Sequence, residues 1–217
     1  MGTTDPCVFV VLGGTGDLMR RKLLPALFYL AENKLLPEKY AILGVARDRN
    51  LTDVQFRKWA RNALANAGLA AGRGARSWCD ACLHYQAVDE TSAAGYAALA
   101  TRIAVIERGN GFRGNRVLYL ALPPGAFYGT IEALAQAGLD RSKGWTRLVI
   151  EKPFGHDLAS ATRLNALVHE HFDEKELADL TLAIVTINAW NRIAIGFRAE
   201  PGHYEPAKHR EMASAAH

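Results

Sequence analysis

The segment Val8–Arg20 constrains the fold of this chain more than any other part of it. A short β-branched run, Val8–Leu12, ends in the glycine-rich turn GGTG, and a helix-like pattern follows over Asp17–Asn33. This layout is typical of a buried strand, a phosphate-binding turn and a helix whose N-terminus faces the ligand. The alternative is a strand-to-helix turn without a ligand, since the third glycine of the usual GxGxxG pattern is missing.

The same order of strand and helix continues along the chain. Further apolar runs predict strands at Tyr40–Ala46, Leu83–Val88, Val117–Leu122 and Arg147–Ile150. Helical patterns separate these runs, Pro25 is expected to bend or divide the first helix, and Gly68–Ser77 is predicted to be a loop. Such alternation predicts an α/β fold with a doubly wound parallel sheet. Ligands of these sheets bind beyond the carboxyl ends of the strands, so the segments after the first, second, fourth and fifth strands should face one crevice.

The composition excludes several classes of function. The chain has 217 residues, of which 49% are hydrophobic and 22% are charged, as expected for a globular domain. Its net charge is only +4 and it has no long basic block, so nucleic acid is not an expected partner. The three cysteines do not suggest a disulfide scaffold. We see neither a signal peptide nor a membrane-spanning run, and we expect a cytoplasmic protein.

The residue at the end of the second predicted strand bears on the choice of cofactor. Arg47 stands where an acidic residue would bind a ribose 2′-hydroxyl and favour NAD. An arginine there can pair with a 2′-phosphate and favours NADP. The neighbouring Asp48 keeps NAD open, and the alternative interpretation of Arg47 is a solvated arginine in a loop.

A second motif, EKPFG at Glu151–Gly155, follows the fifth predicted strand. Lys152 would place a cation at the crevice, where it could bind a substrate oxygen or assist proton transfer. The alternative is a surface lysine in a turn, because most lysines are exposed.

Two other patterns are weaker. Cys79 and Cys82, with His84 nearby, suggest zinc, but four protein ligands are not visible and two small thiols before a strand are the better interpretation. Tyr204 and Lys208 have the Tyr-x-x-x-Lys spacing of short-chain dehydrogenases. The proline between them argues against the helix that this chemistry needs, so we attribute the match to chance.

Taken together, the motifs resemble one family, glucose-6-phosphate 1-dehydrogenase. GGTGDL resembles the family's GASGDLA, GVAR its GYAR, and ALPP and VIEKPFG its fourth- and fifth-strand signatures. The resemblance covers roughly Val8–Glu174 and implies a Rossmann-like NADP-binding domain over residues 1–174.

The resemblance also implies roles for individual residues. The dinucleotide loop would be formed by Gly13, Gly14, Thr15, Gly16, Asp17 and Leu18. Arg47 would hold the 2′-phosphate, Leu122 and Pro123 would border the cofactor, and Lys152 would contact the sugar close to the nicotinamide. The family oxidises C1 of glucose 6-phosphate, passes hydride to NADP and forms 6-phosphogluconolactone.

After Glu174 the chain departs from the family pattern. The family continues into RIDHYLGKE, which carries the general-base histidine, whereas this chain reads KELADLTLAIVTINAW. We also expect these residues to lack the sheet domain that, in the family, completes the sugar site and the oligomer contact. We hypothesise that the reading frame changes near residue 175, so that 175–217 is a poorly ordered, non-family extension. There are two alternatives to a glucose-6-phosphate dehydrogenase. The first is a non-catalytic NADP-binding protein, and the second, which fits the motifs less well, is a short-chain reductase or epimerase.

Overall fold

The computed structural model describes residues 5–69, 73–89, 92–150 and 158–172. Within them the chain forms five strands, β1 (Cys7–Leu12), β2 (Tyr40–Ala46), β3 (Leu83–Ala87), β4 (Arg116–Leu120) and β5 (Thr146–Ile150). All four strand pairings are parallel, and the order across the sheet is β3-β2-β1-β4-β5. The prediction of a doubly wound parallel sheet is therefore confirmed.

Helices connect the strands. They are α1 (Leu24–Glu32), α2 (Asp53–Asn66), α3 (Arg73–Cys82), α4 (Ala93–Asn110), α5 (Phe127–Gln136) and α6 (Leu158–His171). Among the described residues, no helix combines the length and the apolar character needed to cross a bilayer.

The first helix is divided, as Pro25 predicts. Its backbone is helical from Asp17, passes through a wider π-helical turn over Met19–Leu23, and becomes α-helical from Leu24. The wider turn lies directly before Pro25, whose missing N–H removes one hydrogen bond from the helix.

The second helix begins where the sequence indicates. The Thr52 hydroxyl accepts a hydrogen bond from the Gln55 backbone N–H at 3.3 Å, and the Gln55 side chain accepts one from the Thr52 N–H at 2.8 Å. This capping box satisfies two backbone donors and fixes the end of the β2–α2 connection.

The prediction of a loop over Gly68–Ser77 is wrong from Arg73 onward, because α3 begins there. Ala75, Cys79 and Cys82 recur at helical spacing and are buried in the core. The half-buried Trp78 packs edge-on against Phe28, with ring centroids 5.3 Å apart. This burial stabilises a helix in a segment whose glycine-rich start favours a loop.

Cys79 and Cys82 are buried free thiols at the end of α3. Burial raises the pKa of the Cys79 thiol to about 11. Burial and then the adjacent Cys79 raise the pKa of the Cys82 thiol further above its usual range. Both thiols are therefore neutral at physiological pH and pack as small apolar groups.

Both faces of the sheet are covered. Successive residues of a strand point to opposite faces of its sheet. Since Val8, Val10 and Val11 of β1 all have no exposed surface, both faces of β1 are buried. The order of the strands reverses at β1. From β1 the chain first adds β2 and β3 on one side of it, and then β4 and β5 on the other side. The carboxyl ends of β1 and β4 therefore border the crevice where such sheets bind ligands.

Contacts between Cα atoms divide the chain into Met1–Glu176 and Leu177–His217, and every described residue lies in the first unit.

Candidate dinucleotide site

The turn after β1 is built from glycines that touch neighbouring backbone. Gly13 has φ +92°, which favours glycine, and a Cβ there would collide with the carbonyl oxygen of Ala121. A Cβ on Gly14 would lie 2.6 Å from the Cα of Gly44 and 2.7 Å from the nitrogen of Val45. The turn is thus wedged between the end of β2 and the residue that follows β4.

Hydrogen bonds hold this turn in place. The N–H groups of Gly13 and Gly14 both donate to the Val45 carbonyl oxygen, at 2.9 Å each. The N–H of Gly16 donates to the Gly13 carbonyl at 2.9 Å, and the N–H of Arg20 donates to the Gly16 carbonyl at 3.0 Å. The first two glycines therefore shape the turn. The helix that begins at Asp17 offers donors for an anion, because its first N–H groups have no acceptor within the helix.

Asp17 lies exposed at the start of that helix. Its carboxylate is 2.7 Å from the Arg20 guanidinium and 3.5 Å from that of Arg21. The hydrogen bond from Arg20 lowers the pKa of the Asp17 carboxyl, so it is ionised at neutral pH. The next residue, Leu18, is half-buried, and Met19 is fully buried in the core.

Arg47 directly follows β2 and is exposed at the crevice, beside Asp48. One carboxylate oxygen of Asp48 accepts a hydrogen bond from the Asn50 backbone N–H at 2.9 Å. Asp48 thus stabilises its own turn, while Arg47 places a cation at the edge of the cleft.

A cleft of about 290 Å³ opens at the carboxyl ends of β1, β2, β3 and β4. It is lined by Leu12, Gly13, Thr15, Gly16, Val45, Ala46, Arg47, Asp48, Val88, Tyr96, Ala121, Leu122 and Pro123. Two larger hollows, of about 460 and 550 Å³, are lined in part by residues of α6, and the second begins at Pro124, directly after the last residue that lines the cleft. The smaller cleft is the candidate ligand site, because the glycine turn that leads into the first helix and Arg47 both line it.

The structure brings most of the predicted residues together. Of these, the cleft lining includes Gly13, Thr15, Gly16, Arg47, Leu122 and Pro123. Gly14 is buried behind the turn, while Asp17 and Leu18 continue into the helix. Lys152 lies outside the described residues, so its role stays a prediction.

Sequence reasoning missed two lining residues from the third strand–helix unit. Val88 follows β3, and its N–H donates to the Ala46 carbonyl at 2.9 Å. Tyr96, in the first turn of α4, is 2% exposed and borders the same cleft. The predicted third strand could have indicated both residues, since the carboxyl end of a parallel β3 must also lie at this edge of the sheet.

These features define a class of protein. A parallel sheet of this order, a glycine turn leading into a helix N-terminus and a cleft where the strand order reverses form a Rossmann-type dinucleotide-binding domain. Within that class, residues 10–178 match the sequence model of "Glucose-6-phosphate dehydrogenase, NAD binding domain". The chain belongs to the glucose-6-phosphate dehydrogenase family, which confirms the resemblance seen in its motifs.

Curated relatives agree with this assignment. The chain is 35% identical over 210 residues to "Glucose-6-phosphate 1-dehydrogenase" of Aggregatibacter actinomycetemcomitans, a match covering 96% of this chain and 42% of the relative. It is 38% identical over 174 residues to "Glucose-6-phosphate 1-dehydrogenase 2" of Mycobacterium tuberculosis, covering 78% of this chain and 34% of the relative. This chain therefore spans less than half the length of these relatives. The first match reaches past residue 174, and the domain boundary expected there stays a prediction.

Solved structures of the family share the fold. The structure of a glucose-6-phosphate dehydrogenase in complex with its substrate glucose-6-phosphate matches with a TM-score of 0.70 and 31% identity, over 81% of this chain and 36% of that one. The Mycobacterium avium enzyme matches with a TM-score of 0.66 and 34% identity, over 78% and 35% of the two chains.

Proposed function

We propose that this chain is the NADP-binding part of an enzyme that oxidises glucose 6-phosphate to 6-phosphogluconolactone. The observation that carries the proposal is Arg47, a cation at the end of β2 on the rim of a cleft built like a dinucleotide site. Relatives named as glucose-6-phosphate 1-dehydrogenases support the choice of reaction.

The residues of the cleft fit NADP. Gly13 and Gly14 leave no room for side chains, so the backbone can come close to a diphosphate at the N-terminus of the first helix. Arg47 would pair with the 2′-phosphate through charge-assisted hydrogen bonds, and Leu122 and Pro123 would border the cofactor. Bound NADP would supply the hydride acceptor for the oxidation.

The sugar substrate would meet Lys152 at the end of the fifth strand segment. An ammonium there would bind a substrate oxygen near the reacting carbon and steady the charge that develops as the hydroxyl proton leaves. This role comes from the EKPFG motif and the family resemblance.

Cofactor selectivity tests the proposal directly. Arg47→Ala is expected to weaken NADP binding by about 1.5–3 kcal/mol, roughly tenfold or more, with little effect on NAD. The physical reason is that only NADP has the 2′-phosphate that the guanidinium would bind. Calorimetric titration of both cofactors against wild type and variant measures the difference.

Arg49→Ala is the matched control. Arg49 lies two residues further along the same loop and faces Asp89 at 3.6 Å, with 76% of its side chain exposed. Its removal changes the net charge equally but should leave the ratio of the two affinities unchanged. Equal losses of NADP and NAD binding in Arg47→Ala would falsify the assignment of Arg47 to the 2′-phosphate.

A further inference from the structure

The segment that carries Arg47 is tied to the sheet by one residue of β3. We call residues 47–52, between β2 and α2, the selectivity loop. The Tyr85 hydroxyl donates to the Asp48 carbonyl oxygen at 2.8 Å, and the Tyr85 backbone N–H donates to the Asp53 carboxylate at 2.8 Å. A single residue therefore holds both the start of the loop and the first residue after it.

Tyr85 is itself held in place by the core. It is 5% exposed and lies opposite Gly44 in the parallel pairing of β2 and β3. Its ring packs against Phe56 with centroids 5.4 Å apart, and Phe56 stacks on Trp59 at 5.3 Å. The Phe56 ring fills the space where a Cβ of Gly44 would be. Because this packing is tight, the hydroxyl has one position relative to the sheet.

The far end of the loop is fixed by an ion pair. The second carboxylate oxygen of Asp53 lies 2.6 Å from the Arg102 guanidinium of α4, 3.4 Å from Nδ1 of His84 and 4.0 Å from Arg57. The groups are half-buried, so solvent screens them less than exposed pairs. Asp53 thus connects the start of α2 to both β3 and α4.

We propose that Tyr85 is a positioning residue for cofactor selectivity. By holding the carbonyl of Asp48, it sets the backbone directly after Arg47 and so the place of the guanidinium at the cleft. The inference rests on the proposed NADP function. It adds that selectivity depends on a buried tyrosine that need not touch the cofactor.

Tyr85→Phe in the complete 217-residue chain tests this proposal. The change removes the bond to Asp48 but keeps the ring and the backbone bond to Asp53. NADP affinity, measured by calorimetry, is expected to fall about three- to tenfold, the effect of one lost hydrogen bond, while NAD affinity stays within about twofold. A purely structural role would weaken both cofactors equally or neither, and that result would overturn the proposal.

Tyr40→Phe is the matched control. The Tyr40 hydroxyl accepts a hydrogen bond from Nε1 of Trp78 at 2.7 Å, on the partly buried α3 side and away from the selectivity loop. This variant also loses a tyrosine hydroxyl bond, but its ratio of NADP to NAD affinity should equal that of wild type. If Tyr85→Phe does not fold, Asp53→Asn weakens the hold on the other end of the loop and should give the same selective loss.

The double variant Arg47→Ala with Tyr85→Phe separates this inference from the proposed function. If Tyr85 acts through Arg47, adding Tyr85→Phe to Arg47→Ala costs no further NADP affinity. If Arg47→Ala is selective and Tyr85→Phe is not, the positioning role is overturned while the proposed function stands. If Arg47→Ala is not selective, both the 2′-phosphate assignment and the positioning role are overturned.

Discussion

At the scale of single residues, Gly14 shows how closely this site depends on backbone packing. Its missing Cβ would lie 2.6 Å from the Gly44 Cα and 2.7 Å from the Val45 nitrogen, and neither backbone atom can move without shifting β2. Gly14→Ala is therefore expected to lower the free energy of unfolding by roughly 1–3 kcal/mol and to weaken cofactor binding, because the turn moves away from the strand. Urea unfolding and cofactor titration measure the two effects.

Gly109→Ala provides the comparison at a glycine with open surroundings. Gly109 is exposed within α4, and no heavy atom from outside its own stretch of helix backbone lies within 4 Å of a Cβ built there. Alanine should raise the free energy of unfolding by about 0.4–1 kcal/mol and leave cofactor binding unchanged. Similar destabilisation by both substitutions would contradict the packing argument for Gly14.

At the scale of elements, one charged cluster joins β3, α2 and α4. His84 faces Asp53, Arg102 and Arg57 across these elements. Burial lowers the pKa of His84, although the Asp53 carboxylate opposes the shift. Burial alone would raise the pKa of Asp53, but the Tyr85 N–H and the Arg102 charge outweigh it and lower that pKa.

The folded-state pKa of His84 lies below its ordinary value near 6.5, so the folded protein favours the neutral ring. The contribution of His84 to the free energy of unfolding is complete above its unfolded-state pKa, near 6.5. This contribution is lost as the pH falls through the lower pKa that His84 has in the folded state. The contribution of Asp53, whose pKa is also lowered, is lost only at pH values below 3.8. His84→Gln should therefore flatten the fall in the free energy of unfolding between about pH 7 and 5. Urea unfolding at several pH values measures the free energy of unfolding of both proteins. If this free energy falls equally steeply with pH in wild type and His84→Gln, the prediction is refuted.

At the scale of the whole molecule, the described residues that line the cleft lie between positions 12 and 123, whereas the match to the Aggregatibacter relative covers 42% of that relative. We expect the 217-residue polypeptide to bind NADP but to oxidise glucose 6-phosphate very slowly. The segment RIDHYLGKE, which the family resemblance implies would carry the general-base histidine, does not occur in the 217 residues, and a Lys152 ammonium cannot accept a proton. Loss of general-base catalysis alone is worth ~10²–10⁴-fold in rate.

Formation of NADPH by the purified 217-residue polypeptide, with saturating sugar phosphate, measures this turnover. Lys152→Ala, purified in parallel, distinguishes activity of the chain from a contaminating host enzyme. Robust turnover that disappears in Lys152→Ala would mean that the chain supplies a base after all, and His203 would be the first candidate.

Sequence patterns were enough to predict the alternation of strands and helices, the glycine turn after Val8–Leu12 and the placement of Arg47 at a strand end. These follow from local patterns, since apolar periodicity, caps and turn residues act within a few positions. Local patterns did not predict that Arg73–Cys82 is helical, that the N–H groups of Gly13 and Gly14 bond to β2, or that Tyr85 holds the loop beside Arg47. Those features depend on contacts between residues more than thirty positions apart, which packing selects and local propensity does not encode.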